Sequence, residues 1–414
     1  MSNRLTADYL VETGVDMEKA LKTMAGEQST GTFVKIPGES SELMGNYAAR
    51  IDQISEISEI STPSLPFAKN GQGPIHQAKV RVSWPEENIG PNLPNLMATV
   101  AGNLFELSPF SGLKLLDVSF PDSFASHYSG PKFGIAGTYE KLGFENRPVI
   151  GTIIKPSVGL DAVQTAAQVK TLIEAGLDFV KDDELMGDPG YNQFEDRVDA
   201  CMEVINTYAE KSGKKPMYAF NISGTIDEMR KRHDYVLQWG GTCIMINLLW
   251  VGISGIQYMA QHSQLPIHGH RNGWGIFSRH PMLGMEYPAL SKIWRLAGVD
   301  HLHTNGIRNK FCEPDESVLA SIKDCLSPIW KDSDRAMPVL SSGQWAGQAF
   351  DTYKEIQSTN LMYLCGGGIM GHPSGVAAGV DSIRNAWQAA LEGMDANQAR
   401  QKFPSIDQAF KFFG

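Results

Sequence analysis

Residues 178–184 read DFVKDDE, which sets Lys181 two positions before Asp183 and three before Glu184. In a strand, side chains alternate between faces, so Lys181 and Asp183 share one face and Asp182 looks the other way. Glu184 falls where a strand would give way to loop and can turn inward. One meaning of this set is a buried lysine–carboxylate ion pair. Another is a site for a hard cation such as Mg2+, which takes oxygen ligands and usually only one or two carboxylates from protein. A structural pair has no need of two carboxylates, and this favours the cation. An uncharged lysine amine can also add CO2 to give a carbamate, a third anionic oxygen ligand, or form a Schiff base with a carbonyl. The residue types leave those two routes open.

Further polar residues recur at the ends of apolar runs. They are Lys155 in VIGTIIKP, Asn221, Asn247, then His268, His270 and Arg271 in LPIHGHRN, and His301, His303 and Asn305 in DHLHTNG. Ser341 and Ser342 in SSG follow, and then Gly366, Gly367 and Gly368 in CGGGIMGH. The glycine-rich turns are of the kind whose backbone N–H groups approach an anion, as at a phosphate site. Arg271 beside His270, with His303 on the next run, makes a second cationic cluster. Two HxH patterns also fit a zinc site, but the neighbouring carboxylates and glycine loops favour an oxygen-ligated cation.

The elements that must position these residues form a repeat. Strand-like runs at 149–156, 177–184, 216–223, 242–249, 265–272, 300–306, 337–343 and 361–368 alternate with amphipathic helical stretches such as DAVQTAAQVKTLIEAG and IDEMRKRHDYVLQWG, each closed by a glycine. This predicts an α/β fold with a parallel (β/α)8 TIM barrel over residues 126–414, rather than an open doubly wound sheet. In such a barrel the C-terminal strand ends, where the polar residues lie, form the catalytic face. Residues 1–125 mix strand-like runs (GTFVKI, KVRVSW, LKLLDVSF) with helical ones (DMEKALKTMAG, NLPNLMATVAGNLF) and predict an N-terminal α+β, ferredoxin-like domain. A formal charge of −10 speaks against nucleic acid or an anionic membrane as partner. Five scattered cysteines without CxxC spacing, no membrane-length apolar run and no signal-peptide pattern at the start lead us to expect a cytoplasmic protein.

GTIIKP, GLDFVKDDE, IHGHR, DHLHTNG, SSGQ and CGGGIMGHP, in that order, resemble the barrel of ribulose bisphosphate carboxylase (RuBisCO) large chains and of the form IV RuBisCO-like proteins. GEQSTGT and VAGNLF resemble the ESSTGT and GN(V/L)F segments of the family's N-terminal domain, so the likeness spans nearly the whole chain. The resemblance implies that Lys181 is carbamylated to N6-carboxylysine and, with Asp183 and Glu184, binds Mg2+. It implies an acid/base role for Lys155, a proton-transfer role for His270, and in Lys310 the mobile-loop lysine that holds a carboxylate. Thr32, Gly366 and Gly367 would hold one phosphate, and Arg271, His303 and Ser342 the other end of the substrate. Glu27 and Asn103 would come from a partner subunit, implying a homodimer with shared active sites, with higher association left open.

The sequence also departs from the family. KPK is KPS here, so Ser157 stands where carboxylases need a lysine; Phe33 replaces a tryptophan; HSGT becomes HTNG. We therefore expect no CO2 fixation but related enediolate chemistry on a phosphorylated sugar acid. Retention of Lys155, His270 and Lys310 together favours a substrate that carries a carboxylate near the metal. The expectation is a 3-oxo-isoapionate 4-phosphate decarboxylase. The alternatives are a transcarboxylase/hydrolase of the same compound, an enolase or isomerase of methylthio-sugar phosphates, and a non-catalytic sugar-phosphate binding protein.

Overall fold

The computed structural model describes residues 3–31, 36–69 and 73–414, which fall into two compact units. The first comprises residues 1–129 with 273–296 and 329–331, and the second 130–272, 297–328 and 332–414.

The first unit is built on a five-stranded sheet of strands β1 (Arg4–Thr13), β2 (Arg50–Ile60), β3 (Ile75–Pro85), β4 (Phe110–Ser119) and β10 (Leu283–Met285), in the order β10-β4-β1-β3-β2. Strand β1 is central, pairing antiparallel with β3 on one edge and β4 on the other, and it alternates, with Leu5, Ala7 and Tyr9 buried between less buried neighbours. The helices Met17–Glu27 and Leu93–Ala101 bury Leu21, Met24, Leu93 and Leu96 in the same unit. Tyr9 OH donates to the Val100 carbonyl at 2.7 Å, satisfying the one polar atom that this packing buries on its ring.

KVRVSW and LKLLDVSF lie in β3 and β4, whereas GTFVKI falls largely outside the described residues. Strand β2 was not legible as a strand, because Ile51, Ile54, Ile57 and Ile60 recur every three residues, a helical spacing. The ladder accommodates it with register shifts between Ile51 and Gln53 and between Glu56 and Ser58; the first sets Ile54 opposite Val80, on the same side as Ile51 opposite Val82. The segment around β10, which the sequence places inside the barrel domain, packs with the first unit: β10 pairs parallel with β4, and Lys292 Nζ reaches Asp117 Oδ1 at 2.6 Å.

The second unit is a closed barrel of eight parallel strands: β5 (Val149–Ile153), β6 (Phe179–Lys181), β7 (Met217–Asn221), β8 (Cys243–Asn247), β9 (Ile267–His270), β11 (His301–His303), β12 (Met337–Leu340) and β13 (Met362–Leu364), with β13 closing onto β5. Every strand predicted from the repeat is present. Inward-facing Val149, Phe179, Met217, Ala219, Cys243, Met245, Val339 and Leu364 fill the interior, so the barrel is a packed core. The outer helices start where the sequence caps them. Asp161 and Gln164 form a reciprocal capping box on Ala162–Glu174, as do Thr225 and Glu228 on Ile226–Gln238. Gly176 and Gly240, just past those helices, have φ of 90° and 71°, the left-handed turn that favours glycine.

Candidate active site

Strand β6 delivers the first group of functional side chains. Phe179 and Lys181 face the barrel interior, and Lys181 is 1% exposed. Its Nζ donates to the Asp182 carbonyl at 2.8 Å and lies 3.6 Å from Glu184 Oε2. Asp183, also buried, takes Lys155 Nζ on Oδ2 at 2.5 Å, and the same Nζ donates to Ser157 Oγ at 2.6 Å. Ser157, the departure from the family motif, is thus a hydrogen-bond partner of the lysine before it.

Asp182 points the other way, as alternation requires. It accepts from Tyr218 OH at 2.6 Å and from Asn221 N at 2.9 Å, and pairs with the fully buried Arg197 at 3.3 Å. The other nitrogens of Arg197 donate to the carbonyls of Met186 (3.3 Å), Gly187 (2.6 Å) and Asn192 (2.9 Å). One buried ion pair therefore anchors the loop that carries Glu184. The Glu184 carbonyl is held in turn by Asn221 Nδ2 at 3.2 Å and Asn247 Nδ2 at 3.0 Å, so these two polar strand ends fix backbone.

Charge in this cluster is set by burial. Desolvation lowers the Lys181 amine below its ordinary value even though Glu184, Asp183 and Asp182 all oppose it. Burial likewise lowers His270 to about 4, with the Lys181 charge adding to the effect. Burial would raise Glu184, but the nearby His270 and Lys181 nitrogens outweigh it and bring its carboxyl to about 2. His270 Nε2 lies 3.4 Å from Glu184 Oε2. Two carboxylates beside a buried amine that desolvation lowers are a hard-oxygen donor set once that amine carries a carbamate, and the residues present fit Mg2+.

Another cluster with metal-ligand residue types among those described is His233, Asp234 and His262. His233 Nε2 accepts from Gln264 N at 3.1 Å, so its Nδ1 must carry the proton that faces Asp234 Oδ1 at 2.9 Å. Neither nitrogen retains a lone pair for a metal.

Strands β9, β11 and β12 bring the second group. His268 and His303 meet Nε2 to Nε2 at 2.8 Å, and His303 Nδ1 lies 3.2 Å from Ser341 Oγ. Burial pushes both histidines well below their ordinary value. His301 does not join them at the mouth. Two residues earlier on its strand, it sits deeper and contacts Thr138 Oγ1 at 2.8 Å. Arg271 pairs with Glu313. Asn305 Nδ2 donates to the same Glu313 oxygen at 2.7 Å, and Ser342 Oγ donates to Asn305 Oδ1 at 2.7 Å. Asn305 and Ser342 have φ of 62° and 71°, uncommon for residues with a side chain and held here by these contacts.

Lys310 is exposed, but its backbone N–H docks on the Ser342 carbonyl at 3.0 Å, which brings its loop to the end of β12. At Gly366 and Gly367, which open the short helix Gly366–Met370, an added Cβ would meet nothing within 4 Å, so the backbone there is uncrowded. In the first unit, Asn103 Nδ2 donates to Glu27 Oε1 at 3.3 Å. Thr32 lies outside the described residues. Glu313 was not foreseen: in NKFCEPDES it reads as an ordinary acidic residue before the helix Asp315–Leu326.

Residues 3–124 match the N-terminal domain, and residues 134–413 the catalytic domain, of the ribulose bisphosphate carboxylase large chain, and the chain belongs to that family. Within it the similarity is to RuBisCO-like proteins. A protein of Xanthobacter autotrophicus named 3-oxo-isoapionate-4-phosphate transcarboxylase/hydrolase is 48% identical over 414 residues, the whole of both chains. A 3-oxo-isoapionate-4-phosphate decarboxylase of Rhizobium rhizogenes is 43% identical over 399 residues, 96% of this chain and 95% of that one. The crystal structure of a rubisco-like protein from Burkholderia fungorum superposes with a TM-score of 0.94 at 41% identity, covering 99% of this chain and 100% of the other.

Proposed function

We propose that this protein is a carboxy-lyase acting on 3-oxo-isoapionate 4-phosphate. The observation that carries the reading is the buried Lys181, its amine lowered by desolvation, beside Asp183 and Glu184, with Lys155 in contact with Asp183. The names of the relatives at 48% and 43% identity supply the substrate. Asp183, Glu184 and Lys181 as N6-carboxylysine would hold Mg2+, which supplies positive charge where negative charge develops on the substrate's ketone and hydroxyl oxygens.

In a β-keto acid the bond to the carboxyl carbon breaks with its electron pair moving toward the ketone oxygen, so CO2 leaves and an enediolate remains. Lys155, held between Asp183 and Ser157, delivers the proton that the enediolate takes at carbon, giving a tetrulose phosphate. His270, neutral at pH 7, accepts the hydroxyl proton and gives it back as the ketose forms. Lys310 holds the substrate carboxylate before it leaves. Gly366 and Gly367 with Thr32 bind the phosphate, and Arg271, His303 and Ser342 orient the opposite end. Glu27 and Asn103 of a second copy complete the site, so the working unit is a homodimer. The location is cytoplasmic; the free state of all five cysteines supports this, and among the described residues no helix is long and apolar enough to cross a membrane.

A second reading is favoured by the 48% identity to the transcarboxylase/hydrolase. In it the same enediolate takes CO2 back at the neighbouring carbon, and water then cleaves the new β-keto acid into glycolate and phosphoglycerate. Incubating the protein with Mg2+, bicarbonate and 3-oxo-isoapionate 4-phosphate distinguishes the two. A tetrulose phosphate supports decarboxylation, glycolate with phosphoglycerate supports hydrolysis, and unchanged substrate refutes both.

A further inference from the structure

The end of the site assigned above to Arg271, His303 and Ser342 contains a side chain that the reading does not use. Glu313 is buried against Arg271, with 9% and 7% of the two side chains exposed. The oxygen that meets Arg271 also accepts from Asn305 Nδ2 at 2.7 Å, and its second oxygen accepts from Ser317 Oγ at 3.0 Å. Asn305 in turn takes the Ser342 hydroxyl at 2.7 Å. Arg271 directly, and Ser342 through Asn305, therefore converge on an internal carboxylate. His303 and His268 add no positive charge, because burial keeps both rings neutral. Counted by formal charge, the Arg271–Glu313 pair is neutral.

A second anionic group arriving here would have to displace Glu313 from a buried, charge-assisted contact or sit beside it as a like charge. Both are costly where water is excluded. A hydroxyl or hydroxymethyl group meets no such penalty. We propose that Glu313 is a specificity-determining residue that neutralises Arg271, so that this end of the site accepts neutral, hydroxyl-bearing groups and rejects a second phosphate. The inference deepens the reading above, since it rests on this end belonging to the substrate site, and it explains how the chain would select a sugar acid with a single phosphate. Sequence offers no sign of it, because Glu313 and Arg271 are 42 residues apart.

The test is a binding experiment that needs no turnover, so it is independent of whether 3-oxo-isoapionate 4-phosphate is the substrate. The full-length protein with Mg2+ and bicarbonate is titrated calorimetrically with ribulose 5-phosphate and with ribulose 1,5-bisphosphate. Wild type is expected to bind the bisphosphate less than tenfold more tightly than the monophosphate. Glu313→Gln, which keeps the shape and removes the charge, is expected to tighten the bisphosphate about tenfold or more while leaving the monophosphate nearly unchanged. Adding Arg271→Gln should abolish that gain. Bisphosphate bound tenfold or more tightly by wild type overturns the proposal, even if the variant fails to fold. A folded Glu313→Gln protein with no selective gain overturns it as well.

Discussion

The pair Asp182–Arg197 gives the sharpest test of how the site is held. Both side chains are essentially unexposed, and Asp182 serves three donors: Tyr218 OH, Asn221 N and Arg197 Nε. Asp182→Ala would leave the guanidinium buried without its countercharge and a tyrosine hydroxyl and a backbone N–H without an acceptor. Breaking one side of a buried pair costs about 3–5 kcal/mol, and each orphaned donor adds about 1–3 kcal/mol where it cannot reach water. A destabilisation of at least about 3 kcal/mol is expected, read by urea unfolding followed through tryptophan fluorescence. Lys181→Met is the control from the opposite face of the same strand. It removes an amine that burial already disfavours as a cation and puts a thioether beside Met245, so it should cost less than about 1 kcal/mol while abolishing turnover. An Asp182→Ala protein within about 1 kcal/mol of wild type would refute the reasoning, as would a Lys181→Met protein destabilised to the same degree.

Other expectations follow from the same geometry. His301 is buried neutral, with a pKa lowered to about 3 by desolvation, against about 6.5 when unfolded. The unfolded chain therefore takes up the proton first, so stability is complete above about pH 6.5 and falls as the pH drops from there toward 3. At pH 5 the loss from this one group is about 2 kcal/mol, and His301→Gln should remove that part of the pH dependence in urea titrations at pH 7 and 5. Lys155→Met should lower kcat by about 10²–10⁴ with little change in substrate affinity, since it removes a proton donor that Asp183 and Ser157 merely hold in place. Preincubation with bicarbonate and Mg2+ should raise the initial rate, and full activity in CO2-depleted buffer would show that Lys181 works as a free amine.

The barrel was legible because parallel strands covered on both faces are nearly continuous apolar runs. Each here ends abruptly in residues such as Lys181, Asn221, His270 or His303. The opposed directions of Asp182 and Asp183 followed from strand alternation alone. What could not be read was anything set by long-range pairing. Strand β2 hid behind bulges that turned its isoleucines to a spacing of three. Asn221 and Asn247 were visible as polar strand ends, but their hold on the Glu184 carbonyl depends on three strand ends meeting. His301 shares the HxH pattern with His303 yet lies deeper, and only the register of β11 shows which of the two reaches the mouth. Glu313 is the plainest case, since nothing near it in the chain marks it as Arg271's partner.

The central claim, that the protein breaks the bond to the carboxyl carbon of 3-oxo-isoapionate 4-phosphate, is tested most directly by following a 13C label placed in that carboxyl group. In the presence of protein, Mg2+ and bicarbonate, the carboxylate signal of the substrate should vanish and the label appear as CO2 and bicarbonate, with a tetrulose phosphate left unlabelled. Label in the carboxylate of phosphoglycerate would place the chemistry with transcarboxylation and hydrolysis. Label that stays in the substrate carboxyl group, with or without exchange of solvent deuterium into the carbon skeleton, would contradict the claim.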